Sequence, residues 1–416
     1  MAGLNEAAFS AVYKHHYTRE EVQLLTYRNR PLYALLEKDE DFGGDLLPIP
    51  IGYANPQGRS ATFSNALGNQ TPTAYKSFNI TPTNNYATAN ISRRTMLASE
   101  KAPIDAWIKA RVSETDNAID TLANDIAVDL FGAGFGVRGQ ISTNATYPVT
   151  GTTIQLTNNR DIQKFEVGQT LVFSASASGT GIRTGQAQIT AISRDVTATG
   201  ALITFASALS GLITGVTNVD YIYVQGDPTL KLSGLAAWMP FTGRPTPGGG
   251  DNFYGVDRSA DVVRLAGVAF DGSGLTIEEA FVQGLAISNQ EGGAPDYGFI
   301  NYRQWANLEN ALGSRVRYAE VDLPAIKFGM KGIQLHGPMG PVTILADRYC
   351  PDGFAYLLQM DTWTLYSTGP APAIVDEDGN VLLRSAATDG FDIRIAAYLN
   401  LGCRAPGKNV VMALPL

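Results

Sequence analysis

Few residues of this 416-residue chain have the types and spacing that catalysis requires. The only histidines are His15, His16 and His336, so the chain has no H-x-x-x-H pair that would bind zinc from one helix. A Ser-His-Asp arrangement would depend on His336 alone, and no nucleophile elbow accompanies it. We expect His336, which precedes Gly337 and Pro338, to serve in a turn or in packing.

A stretch near the C-terminus approaches the pattern of a phosphate-binding loop. Gly402, Gly407 and Lys408 have suitable types, but Asn409 stands where a serine or threonine would reach magnesium. Pro406 removes a backbone N–H from the cradle, and the residues that follow are typical of a strand. No helix N-terminus would therefore hold the phosphate, and the sequence does not predict nucleotide binding here.

Two further stretches resemble ligand-binding motifs but lack other residues or elements that those motifs require. Gly132, Gly134 and Gly136 follow a predicted helix and not a strand, which argues against a dinucleotide-binding fingerprint. The acidic run Asp376–Asp378 lies in a predicted tight turn and lacks the remaining ligands of a calcium loop. Acidic pairs of the glycosidase type stay open, because acids are plentiful throughout the chain. We predict no enzyme and assign no catalytic, cofactor-binding or metal-binding residue.

Charge, cysteine content and hydropathy argue against several classes of protein. The net charge of -8 argues against a sequence-reading nucleic-acid module, which is usually basic. Cys350 and Cys403 form neither a C-x-x-C pair nor a disulfide framework, so we expect two free thiols in a reducing compartment. We see no signal peptide and no apolar run near the ~20 residues that a membrane-spanning helix needs. We therefore expect a soluble, cytoplasmic chain without a membrane partner.

The longest regular pattern predicts a helix from Ser99 to Phe131. Ser99 can cap its start, Pro103 is tolerated only near that start, and Gly132 with Gly134 ends it. At ~1.5 Å per residue such a helix is about 45–50 Å long and needs a sheet or lobe along its apolar side. Acidic and basic residues occupy mostly its other faces. The predicted apolar stripe consists of Ile104, Ile108, Val112, Thr115, Ile119, Leu122, Ile126 and Leu130.

The residues before this helix form two dissimilar stretches. Residues 1–42 resemble an arm in which cations collect, which could face a polyanion or an assembly partner, but nearby acids balance these cations and favour a solvated helix face. From Leu46 to Ser92 only Arg59 and Lys76 are charged, and LLPIPIGYA and FNITPTNNYATANIS alternate as strands do. We predict a long two-stranded ribbon. Because an isolated ribbon is barely stable in water, we expect another copy of the protein to support it; an ordinary sheet edge is the alternative.

After the helix, the stretch from Tyr147 to Asp227 contains short β-type runs separated by turn residues at intervals of about ten residues. The runs are TTIQLT, QTLVFSAS, GQAQITAIS, ALITFAS and DYIYVQG. This spacing predicts a small antiparallel barrel or sandwich inserted between mixed α/β segments.

The rest of the chain alternates helices and strands. Residues 231–255, with three consecutive glycines, are predicted to form a mobile loop. Thr276 and Glu279 predict a capping box, and Asn301 predicts a second helix cap. From Ile333 onward the pattern is mostly strands, and in FDIRI (391–395) the apolar and charged residues point to opposite faces.

The order of these parts resembles that of the major capsid proteins of tailed bacteriophages, the Hong Kong 97-like fold. The more specific cues are YGFINYRQWANLENAL (297–312), GIQLHGPMGPVTILADRYCPDGFAYLLQMDTWTLY (332–366) and FDIRIAAYLNLG (391–402). The resemblance implies an α+β fold with an N-terminal arm (1–42), an E-loop β-ribbon (43–95), a spine helix of the P domain (96–139), an inserted all-β barrel or sandwich domain (140–228), and the remainder of the P domain with the A domain (229–416).

The same resemblance implies a major capsid protein whose copies form hexamers and pentamers of an icosahedral shell around double-stranded DNA. The implied partners are other copies, a scaffolding protein, a portal and a decoration protein, and the implied location is the virion capsid after assembly in the bacterial host cytoplasm. DNA would be enclosed without sequence-specific binding, which suits net acidity because cations supply most non-specific affinity for phosphates. Cross-linking chemistry is not carried over, since Lys76 has no matching asparagine or glutamate.

Two other functions remain open at this point. An encapsulin-like nanocompartment would have the same fold and would enclose protein cargo instead of a genome. A protein of a different class, a β-rich glycan-binding or adhesive protein, would bind sugar through residues 147–227. The aromatic residues of that stretch available for stacking are few: Phe165, Phe173, Phe205, Tyr221 and Tyr223.

Overall fold

A computed structural model describes residues 29–93, 104–195, 200–313, 316–322, 329–375, 383–385 and 389–416. The cationic stretch with His15 and His16, the predicted helix start at Ser99 and Pro103, and the acidic turn at Asp376–Asp378 lie outside these residues. None of the helices in the described part of the chain combines the length and apolar character that a bilayer crossing requires.

The architecture is a mixture of helices and sheets of the α+β class. The helices are α1 (Pro31–Leu35), α2 (Phe63–Gly68), α3 (Ile104–Phe131), α4 (Leu209–Leu212), α5 (Leu235–Trp238), α6 (Val262–Ala266), α7 (Ile277–Gln290) and α8 (Tyr302–Leu312). The strands are β1 (Glu37–Asp39), β2 (Leu47–Ala54), β3 (Ala74–Ile80), β4 (Thr83–Ser92), β5 (Val137–Gln140), β6 (Thr153–Gln155), β7 (Thr170–Ser174), β8 (Thr184–Gly185), β9 (Ala187–Arg194), β10 (Ala201–Phe205), β11 (Ile213–Thr214), β12 (Tyr221–Val224), β13 (Val268–Asp271), β14 (Tyr297–Ile300), β15 (Tyr318–Asp322), β16 (Gly329–Gly337), β17 (Gly340–Ala346), β18 (Phe354–Leu358), β19 (Trp363–Ser367), β20 (Ala373–Ile374), β21 (Leu383–Arg384), β22 (Gly390–Cys403) and β23 (Val410–Ala413).

The predicted long helix is present as α3, whose 28 residues span about 42 Å at ~1.5 Å per residue. In the part whose side chains are described, the predicted stripe is buried, from Thr115 through Ile119 and Leu122 to Ile126 and Leu130. The buried face is wider than a single stripe, because Ala123, Ala127 and Val128 are also buried. Such a wide apolar face is typical of a helix that lies on a sheet.

The sheet under α3, which we call the helix-bearing sheet, consists of β1, β4, β19, β20, β21 and β22. The long strand β22 is its centre: β4 pairs along one side of it, from Thr83 opposite Leu399 to Ser92 opposite Gly390. The predicted ribbon strand FNITPTNNYATANIS is therefore wrong in its second half. The ribbon strand ends at Ile80, and the following strand belongs to the helix-bearing sheet because its alternate residues Asn85 and Ala89 are buried.

The ribbon consists of β2 and β3, paired from Leu47 opposite Ile80 onward. Its base is buried against the same chain, and the ring of Phe78 lies 4.9 Å from that of Trp238 in an edge-on contact. The expectation that the whole ribbon needs support from another copy is thus wrong for the base. The reason is that Ile49, Ile51 and Phe78 alternate toward one apolar face that the chain covers by itself.

The stretch after α3 folds into an antiparallel sheet with the strand order β5-β12-β7-β9-β10-β6. A bridge between Ile141 and Leu156 joins the two ends of this order, so the sheet closes into a barrel and not a sandwich. We call it the barrel. It has its own apolar core, and its first strand begins at Val137, three residues before the predicted boundary at residue 140.

The second large sheet, the mixed sheet, has the order β13-β23-β18-β14-β17-β16-β15. It is buried on both faces because successive residues alternate between two cores: Ile300 and Leu357 pack with α7 and α8, whereas Phe299 and Tyr356 join the core beneath α3. The predicted capping box of Thr276 is confirmed at the start of α7. The predicted cap at Asn301 and the alternation in residues 391–395 are also confirmed.

The stretch 231–255, predicted as a mobile loop, is in part a core element. It contains α5, and the side chains of Leu235, Trp238 and Met239 are fully buried. The indole N–H of Trp238 donates to the carbonyl oxygen of Leu401, 3.1 Å away. Because the segment is rich in glycine and proline, its sequence pattern predicts a loop and does not indicate its short apolar cluster. The end of α3 covers this cluster.

Gly234, which precedes α5, is a point of very close packing. A Cβ at this position would lie 2.2 Å from the carbonyl oxygen of Asp129 and 2.3 Å from that of Leu130. We expect Gly234→Ala to push α5 away from α3 and to lower the free energy of unfolding by about 1–3 kcal/mol, the usual cost of overpacking. Urea denaturation measures this loss. The matched control is Gly211→Ala in α4, where a Cβ would meet nothing within 4 Å and stability should change little.

Candidate functional site: the ribbon tip and the barrel joint

The ribbon projects an exposed tip, residues 55–73, beyond its buried base. Within the tip, α2 contains no buried residue, and its two largest apolar side chains lie four positions apart, which places them on one face. Phe63 is 84% exposed and Leu67 is 56% exposed. Tyr75, where the tip meets the ribbon, is 72% exposed. A helix that presents its apolar face to solvent is typical of a protein–protein contact site.

The second feature is a buried cluster of charged residues where the chain enters and leaves the barrel. Arg138, on β5, is only 2% exposed and contacts carboxylates from two directions. Its Nη2 atom lies 3.2 Å from Asp129 Oδ1 on α3 and 3.5 Å from Asp227 Oδ2 after β12, and it also pairs with Asp125. The Nζ atom of Lys231 lies 3.2 Å from Asp227 Oδ2 and pairs with Asp125 as well. We call these five residues the charge cluster.

The charge cluster holds three carboxylates and two cations, and its burial separates their pKa values. For Asp129, burial raises the pKa to about 7, more than Arg138 and Lys231 lower it, and the negative Asp125 adds to the rise. For Asp125, burial also acts to raise the pKa, but the attraction of Arg138 and Lys231 outweighs it and the pKa is lowered. Asp125 thus remains ionised in the same cluster in which Asp129 binds a proton most readily.

The Asp129→Asn variant tests this assignment through the pH dependence of stability. Because folding raises the pKa of Asp129 from 3.8 to about 7, the folded state binds more protons than the unfolded state in this range. The contribution of Asp129 to stability is therefore complete below about pH 4 and is lost as the pH rises through about 7. We expect Asp129→Asn to match the parent protein at about pH 4 and to gain stability relative to it progressively up to pH 8, as measured by urea midpoints.

Three other acids, Asp227, Asp296 and Asp347, also have raised pKa values because of burial. They are present in both proteins, so the difference between the two pH profiles reports on Asp129. A stability difference between parent and variant that does not change between pH 5 and pH 8 would contradict the assignment.

The barrel has a second polar contact with the body. Asp352 lies 3.5 Å from Arg160 of the barrel and 3.0 Å from Arg303 of α8. Arg348 donates to the side-chain oxygen of Gln163 over 2.9 Å. Since the barrel has a separate apolar core, these charged and polar groups at two places fix its position on the body.

The structure gives the residues singled out in the sequence separate structural roles. His336 lies on β16 opposite Pro341 and is exposed, so the expected turn or packing role is wrong. Asn409 is fully buried and accepts from the indole of Trp363 at 2.9 Å, which explains its type without a nucleotide. Cys350 and Cys403 are both free and buried, as expected for thiols.

Sequence reasoning missed the charge cluster. The available signal was the position of Asp129, which lies between Val128 and Leu130 on a helix whose neighbouring turns are apolar. We expected the charged residues of α3 to lie mostly on faces other than the apolar stripe and did not predict that Asp129 is buried, with a side chain only 4% exposed. Within the described ranges, the charge cluster included, no group of three or more histidine, cysteine, aspartate or glutamate side chains has the geometry of a metal site.

No family model matches the chain, and no curated protein matches it in sequence. Solved structures do resemble it. The chain is similar to one in the capsid asymmetric unit of cyanophage A-1(L), with 14% identity, 92% of each chain covered and a TM-score of 0.49. It is similar to a chain of Mycobacterium phage Adephagia, with 10% identity, 100% of this chain and 99% of that one covered, and a TM-score of 0.41. It is also similar to the SrpI encapsulin of Synechococcus elongatus PCC 7942, with 10% identity, 97% and 94% coverage, and a TM-score of 0.43.

Proposed function

We propose that this chain is a shell-forming structural protein, the major capsid protein of a tailed double-stranded DNA bacteriophage. The observation that carries the proposal is the ribbon tip, whose helix α2 leaves Phe63 and Leu67 in solvent on a projection with a single charged residue, Arg59. Burying each such side chain in a contact is worth about 1.5–3 kcal/mol. A second copy of the chain supplies that contact.

The contact joins unlike surfaces, because the tip of one copy lies on the body of the next. A head-to-tail contact of this kind generates rings when its rotation closes, which is what hexamers and pentamers require. Many such contacts of modest strength give a stable closed shell through multivalency.

The proposal assigns a role to each part of the fold. The ribbon with its tip is the E-loop, α3 is the spine helix, the helix-bearing sheet belongs to the P domain, and the barrel is the inserted domain. The E-loop then ends at Ile80 and not at residue 95, since β4 is paired along β22. The arm then excludes residues 31–42, which the predicted arm (1–42) includes, because Leu32 and Phe42 are buried in the main core and β1 pairs with β19. The A domain lies within residues 229–416.

The net charge of -8 suits a protein that encloses DNA without adhering to it. In this proposal the shell assembles in the host cytoplasm with a scaffolding protein and a portal, is completed by a decoration protein, and forms the capsid of the virion. It catalyses no reaction.

Electron microscopy of the expressed full chain tests the proposal. We expect closed, hollow particles of uniform diameter, and a protein that stays monomeric at high concentration would contradict it. The nucleic acid content of particles purified from phage-infected cells separates a phage capsid, which contains DNA, from an encapsulin-like compartment, which contains protein cargo.

The glycan-binding alternative loses its main support in the structure of the barrel. Four of the five aromatic side chains that would stack on sugars are buried, namely Phe165, Phe173, Phe205 and Tyr223, and the fifth, Tyr221, is half-buried. A glycan screen with the full chain is therefore expected to show no binding.

A further inference from the structure

The barrel does not share an apolar core with the body of the subunit. Within the described ranges, the apolar residues that form the barrel core or pack against it all lie between Ile141 and Val224, and the cores under α3 and α7 contain none of them. Apolar packing therefore does not fix the barrel on the body. Where two units of one chain meet through polar groups, relative motion between them is the default expectation.

A wide cleft lies between α3 and the barrel. It encloses about 1160 Å³, and its walls include residues between 117 and 128 of α3 and the barrel residues 163–169 and 224–227. Asp125, Arg138, Asp227 and Lys231 of the charge cluster also line it. A space of this size leaves room for the barrel wall to move relative to α3.

The two chain connections of the barrel each contain a glycine beside the charge cluster. Gly136 precedes β5 with a φ of +77°, and Gly226 follows β12 with a φ of +92°. Glycine adopts such conformations, and leaves them, more easily than any other residue. A Cβ at Gly226 would meet nothing within 4 Å, so the backbone has room to rotate there. A few loop positions of this kind are sufficient to form a hinge.

A second set of contacts holds the barrel at its 3₁₀ turn, Asn159–Lys164. It consists of the ion pair of Arg160 with Asp352, at 3.5 Å, and the hydrogen bond of Arg348 to Gln163, at 2.9 Å. We call these two contacts the latch. Arg348 is exposed and the side chain of Arg160 is 25% exposed, so water competes for both contacts. Ion pairs and hydrogen bonds near solvent are easily opened.

We propose that the barrel is a hinged module, which tilts about the joint at Gly136 and Gly226 when the latch opens. Two separate contact regions fix the direction of a rigid body, and without the latch only the joint and its charge cluster remain. The barrel then moves as a unit, because its hydrogen-bonded sheet and its apolar core are its own. Hinge motions of this kind occur in microseconds to milliseconds. The inference does not rest on the proposed function.

Double electron–electron resonance on the unassembled full chain tests this inference. Thr121→Cys on α3 and Val167→Cys on the barrel place spin labels at exposed positions on the two sides of the cleft. The native Cys350 and Cys403 are both buried, and burial raises the pKa of Cys403 to about 12, so they react slowly with the label.

The latch is removed by combining Arg160→Ala with Arg348→Ala, which leaves Asp352 paired with Arg303 at 3.0 Å. With the latch intact, we expect a single narrow distribution of distances across the cleft. Without it, we expect the distribution to be at least about twofold wider, because the frozen sample then contains a range of tilt angles.

The matched control is a label pair within the barrel, Val167→Cys with Ser210→Cys, both at exposed positions. Its distribution should be equally narrow with and without the latch. Equal widths across the cleft in the two chains would overturn the inference, and so would a wide distribution with the latch intact. Broadening of the control pair would also overturn it, because the barrel would then be loosening and not tilting.

Discussion

A subunit in which Phe63 and Leu67 are both replaced by aspartate is expected to fold normally and to form no closed particles. Both side chains lie on the exposed face of α2 and contribute nothing to the core of the subunit. Losing two buried apolar side chains weakens each contact between copies by about 3–6 kcal/mol, which is more than a hundredfold in affinity. The added charges oppose burial further.

Two measurements separate assembly from folding in this variant. Circular dichroism and the urea midpoint should match the parent protein, whereas electron microscopy and size-exclusion chromatography should show only small species. The matched control is Val167→Asp on the barrel, which removes an apolar side chain that is 61% exposed and should leave particles intact. Normal particles from the double variant would contradict the role of the tip.

Arg138→Met is expected to lower the free energy of unfolding by about 3–5 kcal/mol, the usual cost of breaking a buried ion pair by removing one partner. Methionine retains the apolar stem of the side chain but leaves Asp125, Asp129 and Asp227 with Lys231 as their only cation in the charge cluster. Asp125 and Asp227 would then share one cation in a site with little solvent, and Asp129 would bind a proton more readily.

Urea denaturation at neutral pH measures this loss. Arg93→Met is the control, because Arg93 and Asp389 form an ion pair of 3.8 Å with both side chains largely exposed. Exposed pairs of this kind contribute about 0–1 kcal/mol. If Arg138→Met cost no more than Arg93→Met, the charge cluster would not be what fixes the barrel to the body.

The parts of the fold that could be predicted are those with local signals. Helix α3 follows from the spacing of Ile119, Leu122 and Ile126, which are neighbours on one face. The start of α7 follows from Thr276 and Glu279, which satisfy each other within one turn. The barrel strands follow from short β-type runs and turn residues. In each case the residues that give the signal are close in sequence.

The missed features depend on contacts between distant residues. Thr83–Ser92 alternates in the same way whether it extends a ribbon or pairs with β22, about 300 positions later. The charge cluster brings Asp125 next to Lys231, which is 106 positions away. Trp238 lies in a glycine- and proline-rich segment, and only the tertiary structure shows that Phe78 and Trp363 pack against its ring. No periodic pattern in the sequence predicts these contacts between distant residues.

The positions at which the chain enters and leaves the barrel have a consequence for how the barrel could be inserted or removed. Gln140 and Tyr221 are direct partners on neighbouring strands, so everything between them begins and ends at one place. A tight turn joining these two residues would excise 80 positions while retaining Arg138, Asp227 and Lys231. The barrel is thus one continuous insertion that begins and ends at neighbouring residues, and the same two residues are the natural place at which to insert a foreign domain.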